Sequence, residues 1–171
     1  MERGANEPGG GSTMGEAGAP LGSRVMTQVA FVVPDIEAAV STYAELLGTE
    51  PAEIYTPPLR EGREYRGEPL PPDVNLRVAM IELDNIVLEL IEPIGGPSVW
   101  KDVLDEQGGG PVFHHVAFEV DDGAGVTDDL EGRGFPAVHS QVRANGGRMA
   151  YVDARAELGT LIEVLGGEPA S

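Results

Sequence analysis

Two glutamates stand where apolar strands ought to exclude them. Glu89 lies within Ile86-Val87-Leu88-Glu89-Leu90, and Glu163 within Thr160-Leu161-Ile162-Glu163-Val164. A carboxylate among such neighbours is costly to bury unless it is paired or bound to a metal. The plain alternative is that strand alternation turns it to a solvated face. The two positions are equivalent in an internal repeat. Gln28-Val29-Ala30-Phe31-Val32-Val33, followed by Pro34-Asp35, is echoed by His115-Val116-Ala117-Phe118-Glu119-Val120, followed by Asp121-Asp122, and the echo lays Gln28 on His115. Two copies packed round a pseudo-twofold axis bring Gln28, Glu89, His115 and Glu163 together. One imidazole, two carboxylates and one amide oxygen suit an open divalent-metal site with waters left for substrate. Residue types alone admit Zn²⁺, Mn²⁺, Co²⁺, Ni²⁺ or Fe²⁺.

The elements that must position these groups follow the same repeat. A strand over 26–33 leads to a helix that Asp35 caps, with Ile36, Ala39, Val40, Tyr43, Leu46 and Leu47 on one face and Gly48 as its stop. A short strand near 52–56 and strands over 75–83 and 86–92, joined at Asp84-Asn85, complete the first copy. A helix near 97–106 connects to the second copy: strand 112–120, a helix near 124–133 capped by Asp122, and strands near 136–141, 147–152 and 159–165. Each copy reads strand, helix, strand, strand, strand. The expected organisation is a flexible tail over 1–24, one module over 25–93, a linker with a helix over 94–111, and a second module over 112–167. Residues 57–73 form a long loop punctuated by proline and glycine, the kind of segment that serves as a lid or binding segment or is merely floppy. It carries Arg60, Arg63 and Arg66 in an otherwise acidic chain.

Composition narrows the partners. The 171 residues carry a formal charge of −18, which disfavours nucleic acid and anionic membranes, because phosphate binding needs a basic face. Without cysteine there are no disulfides, thiolate ligands or cysteine nucleophile. With no long apolar run and no signal-like segment after Met1, a soluble cytoplasmic protein is expected.

Three stretches, ELDNIVLELIEPIGGPSVW, GGGPVFHHVAFEVDD and GGRMAYVDARAELGTLIEVL, resemble the vicinal oxygen chelate superfamily, which includes glyoxalase I, methylmalonyl-CoA epimerases, extradiol dioxygenases and bleomycin-resistance proteins. The resemblance covers 26–166 and is nearest to the epimerase-like and glyoxalase I-like members. It implies an α+β fold of two tandem βαβββ modules forming a half-barrel cleft, with metal ligands Gln28, Glu89, His115 and Glu163. Epimerases usually have histidine at the place of Gln28, whereas animal-type glyoxalase I has glutamine there. A bacterial epimerase has a catalytic glutamate near the place of Arg77, so that base is missing here.

The activity implied is proton abstraction beside a metal-bound carbonyl, by an isomerase, epimerase or lyase, with Glu163 or Glu89 as base. The substrate would be a small acyl thioester, a 2-oxo acid adduct or another enolisable compound, and the protein a homodimer. The alternative of another class is a non-catalytic antibiotic-binding protein of the same fold, although a pure binder has no reason to keep all four ligand-type residues. An iron dioxygenase fits less well, since that chemistry wants two histidines and a carboxylate. Arg77 and Arg148, on strands with the small residues Ala79 and Ala150, are expected to face the cleft and bind a carboxylate or phosphate of the substrate. The competing reading makes them strand-end charges bridged to nearby acids. His114 is expected to be a neighbour of the site rather than a ligand, because adjacent strand residues face opposite sides; His139 is expected on the surface, and Trp100, Val103 and Leu104 as helix core.

Overall fold

The computed structural model describes residues 19–167. Most of the tail expected over 1–24 lies outside the described residues. Leu21 is within them and packs against the cluster of Val120, Leu130, Val152 and Val164, so ordered packing starts before Val25.

The first copy contains β1 (Met26–Val32), α1 (Ile36–Leu47), β2 (Ile54–Tyr55), β5 (Asn75–Glu82) and β6 (Val87–Ile94). The second contains β7 (Val112–Val120), α3 (Gly123–Gly132), β8 (Ala137–Val142), β9 (Arg148–Ala154) and β10 (Thr160–Gly166), with a single helical turn, α4 (Arg155–Leu158), before β10. Between the copies lies α2 (Val99–Glu106). All strands join one mixed ten-stranded sheet, in the order β2-β5-β6-β1-β7-β10-β9-β8-β3-β4. The two copies meet where β1 and β7 pair antiparallel, with Ala30 opposite His115. Their last strands, β6 and β10, run parallel to β1 and β7. Both halves of the cleft therefore come from one chain.

Alternation along the strands separates two faces. On the outer face of the first copy, Val33, Ala79 and Leu90 pack under Ile36 and Val40 of α1. Burying each of the Val, Leu and Ile side chains contributes roughly 1.5–3 kcal/mol. The Asp35 carboxylate accepts the Ala38 N–H at 2.9 Å and fixes where α1 begins; Gly48, at φ 68°, ends it. In the second copy Asp122 caps α3 in the same way, accepting the Gly125 N–H. There α3 comes so near β10 that a Cβ on Gly123 would stand 2.6 Å from Gly166 Cα. On the inner face, Ala30, Val32, Val78, Ile91, Met149, Tyr151 and Leu161 pack with Val99, Trp100 and Leu104 of α2. That helix closes one end of the half-barrel.

The 57–73 segment contains two short strands, β3 (Glu64–Tyr65) and β4 (Glu68–Pro69). Arg66 and Gly67 both have positive φ at the tight turn between them. The hairpin does not stay with its own copy. β3 pairs with β8, Glu64 opposite Ser140 and Tyr65 opposite His139, so the chain crosses from one edge of the sheet to the other.

Candidate active site

Gln28 on β1, Glu89 on β6, His115 on β7 and Glu163 on β10 converge on the inner face. His115 is fully buried, and Glu163 and Glu89 are only 4% and 7% exposed. His115 Nε2 lies 3.1 Å from Glu163 Oε2 and 3.4 Å from Glu89 Oε2. The Gln28 amide donates to Glu89 Oε2 at 3.0 Å. One donor atom from each of Glu89, His115 and Glu163 falls within 4.8 Å of the other two.

The electrostatics fit a cation. His115 Nε2 and Glu163 Oε2, though close, have no aligned hydrogen-bond partner. Burial alone would push the His115 imidazole down, but Glu163 and Glu89 carry it up to about 9. Burial raises the Glu89 carboxyl, and its contact with His115 pulls it partly back. With both carboxylates ionised and the imidazole protonated, the cluster keeps one uncompensated negative charge in a buried place. A divalent ion in place of the imidazole proton leaves the cluster neutral. Glu89, His115 and Glu163 would hold such an ion, with the Gln28 amide oxygen as a further donor.

His114 neighbours the site without joining the ligand group, as expected, but it does so from the same side as His115 rather than from the opposite face. The β1–β7 register slips between Ala30–His115 and Phe31–Phe113, making His114 the extra residue of a bulge. Its ring lies beside His115, with the two Nδ1 atoms 2.8 Å apart. A cation at His115 Nε2 requires its proton on Nδ1, which would then donate to His114 Nδ1. His114 is held neutral, well below the usual histidine range, first by burial and then by the charge on His115. His139 is likewise not on the surface: it is 2% exposed, with burial pressing it down to about 3, and its ring meets Trp100 at 4.7 Å and Tyr151 at 5.5 Å. The crossing hairpin, which pairs with β8, covers it.

The cleft encloses about 260 Å³, and Glu89 and Glu163 are the carboxylates among its lining residues. Tyr151, directly across the ladder from Glu163, also lines it. Its phenol is pushed well above the ordinary tyrosine range by burial and then by Glu163 and Glu89, so it stays a neutral O–H. The repeat puts Tyr151 at the place of Met80, which gave no sign of a polar role. Trp100 is core, as expected, and also lines the cleft.

Arg77 and Arg148 do not line the cleft. Arg77 shares its face with Ala79, and both alanines leave room for packing behind the sheet. Arg77 contacts Glu37 of α1 and Glu92 at 3.2 Å, and Glu92 also accepts the Ile36 N–H. Arg148 is exposed at the start of β9, on the face opposite Met149 and Tyr151. The arginines that line the cleft are Arg60, Arg63 and Arg143.

Comparison with known proteins agrees with this fold. The pattern of the Glyoxalase/Bleomycin resistance protein/Dioxygenase superfamily matches residues 27–151. The ethylmalonyl-CoA/methylmalonyl-CoA epimerase of Cereibacter sphaeroides is 30% identical over 142 residues, covering 81% of this chain and 95% of that protein. The mitochondrial methylmalonyl-CoA epimerase of Mus musculus is 27% identical over 141 residues, covering 81% and 71%. Among solved structures, methylmalonyl-CoA epimerase from Mycobacterium tuberculosis aligns with a TM-score of 0.55 at 19% identity, over 85% of this chain and 89% of that one. A Streptomyces coelicolor epimerase variant in complex with 2-nitronate-propionyl-CoA aligns with a TM-score of 0.58 at 20% identity, over 85% and 98%. The sequence relatives support an epimerase or isomerase reaction, and the structural neighbours share the fold. The chain belongs to the glyoxalase/bleomycin resistance protein/dioxygenase superfamily.

Proposed function

We propose that this protein is a divalent-metal-dependent epimerase acting on a small acyl thioester of the methylmalonyl-CoA class. The observation that carries the reading is the placement of Glu89 and Glu163. They come from equivalent strands of the two copies, lie either side of His115, and share one small cleft. Epimerisation at the carbon beside a carbonyl removes a proton from one face and returns one to the other, which calls for two proton-handling groups. Glu163 is the base. Glu89, on the opposite side of His115 in the strand order, is the partner group that returns the proton. A bound divalent ion would supply Lewis-acid stabilisation of the charge that develops on the carbonyl oxygen. Tyr151 and Trp100 shield the reacting carbon from water, and the cleft volume suits the acyl head, with the carrier outside. The activity is proposed for a cytoplasmic homodimer.

The test is racemisation of a single methylmalonyl-CoA epimer in D₂O, read by chiral analysis and by deuterium at the α-carbon. The parent protein should show both. Glu163→Gln should lose at least a thousandfold in turnover while keeping its thermal unfolding temperature, and full activity in that variant would remove its assigned role.

A further inference from the structure

The crossing segment does more than cover His139. It brings Arg60 and Arg63 from the first copy over the cleft to the far edge of the sheet. The segment is firmly tied at its far end. Beyond the β3–β8 pairing, Arg66 N–H donates to Val138 O at 3.0 Å and Val142 N–H donates to Glu61 O at 3.0 Å. The Arg66 guanidinium contacts Asp102 of α2 at 3.0 Å, and the Tyr65 hydroxyl donates to the same carboxylate. Arg63 is half-buried, and one of its N–H groups donates to the Val74 carbonyl.

The chain has 29 acidic residues against 11 basic ones. Acids are easily found here, and Arg66, Arg77, Lys101, Arg133, Arg143 and Arg155 each have one within 4 Å. Among the described residues Arg24, Arg60, Arg63 and Arg148 have no such pair, and of these four Arg60 and Arg63 line the cleft. A guanidinium partly removed from water, with no counter-ion, in the wall of a cleft is placed to receive one.

We propose that Arg63, assisted by Arg60, is an anion subsite that binds an oxyanion of the substrate. The substrate is then an acyl compound bearing an anionic group besides the carbonyl that reacts. Two groups share that chemistry: a free carboxylate on the acyl unit, and a phosphate of its carrier. The inference rests on the epimerase reading for the identity of the substrate, but its test needs no turnover.

The sequence contains one tryptophan, and Trp100 lines the cleft, so intrinsic fluorescence reports occupancy. The full-length parent and Arg63→Met, at equal metal content, are titrated with methylmalonate, propionate and adenosine 3′,5′-bisphosphate. If the subsite takes the acyl carboxylate, the parent binds methylmalonate about ten- to a hundredfold more tightly than propionate, and Arg63→Met loses that preference. If it takes a carrier phosphate, the bisphosphate alone weakens by that factor. Affinities for both anions within twofold of the parent would overturn the subsite. Arg63→Lys, which keeps the charge but loses the planar fork, should give an intermediate loss and covers the case in which Arg63→Met does not fold. Arg77→Met, outside the cleft, should change neither affinity. An absence of epimerase activity in the parent would end the reaction assignment and leave these binding outcomes intact.

Discussion

Metal binding at this site should be a competition with a proton. In the metal-free protein the His115 imidazole titrates at about 9, because Glu163 and Glu89 outweigh the effect of burial. At pH 7 that is about two units below its pKa, so roughly one molecule in a hundred offers the neutral ring a metal needs. The competition weakens apparent affinity about a hundredfold, or about 2.7 kcal/mol, relative to pH above 9. Affinity should rise about tenfold per pH unit from 6 to 8 and level off near 9. The linkage to folding runs the other way without metal. A histidine raised from 6.5 to about 9 stabilises the fold fully below pH 6.5, and that contribution, about 3 kcal/mol, is lost as pH rises through 9. Calorimetric titration with Co²⁺ in buffers of different ionisation enthalpy counts the protons released. About one proton per Co²⁺ is expected at pH 7, falling in Glu163→Gln because His115 loses its main charged partner. One-to-one binding at pH 7 with no proton release would refute the argument.

Other outcomes follow from the same contacts. His114→Ala removes the partner of His115 Nδ1 and should weaken Co²⁺ binding about ten- to a hundredfold with an intact fold, as read by calorimetry and circular dichroism. His139 stays neutral down to about pH 3 in the folded state, whereas in the unfolded chain it takes a proton near 6.5, so it costs stability as pH falls through that window. His139→Phe should therefore flatten the fall in melting temperature between pH 6.5 and 4, and an unchanged slope would count against it. Arg77→Ala breaks exposed ion pairs and should leave the urea unfolding midpoint almost unmoved and the substrate KM unchanged. Leu90→Ala, under α1, should cost about 2–5 kcal/mol by the same measurement.

The sequence disclosed most of the scaffold because its signals are local. Asp35, Asp122 and Gly48 mark helix ends through their own backbone bonds, and apolar alternation marks β7 over 112–120 as found. The repeat brought Gln28, Glu89, His115 and Glu163 together because a pseudo-twofold turns equal positions into neighbours. What stayed hidden depended on partners distant in sequence. The bulge at His114 arises from the β1–β7 register, and no glycine or proline stands within 112–115 to announce it. The burial of His139 comes from two-residue strands, too short for any periodicity to register. Arg77 and Arg148 show a different limit. Alternation groups residues correctly by face, but small alanines are equally suited to a cleft and to the underside of a helix, and here they serve helix packing.

The route of the crossing hairpin also bears on how the chain comes to be folded. β3 is made well before its ladder partner β8, since Glu64 pairs with Ser140 and Tyr65 with His139. A nascent first copy can form β1, α1 and the β5–β6 pair, but its hairpin must wait until β8 has emerged. Such a long-range closure is entropically expensive to reach and slows folding. Until it happens, the edge of β8 is open to pairing with another chain. Truncations that end before residue 137 should therefore yield aggregation-prone products, and the two halves should unfold together once the hairpin has locked them.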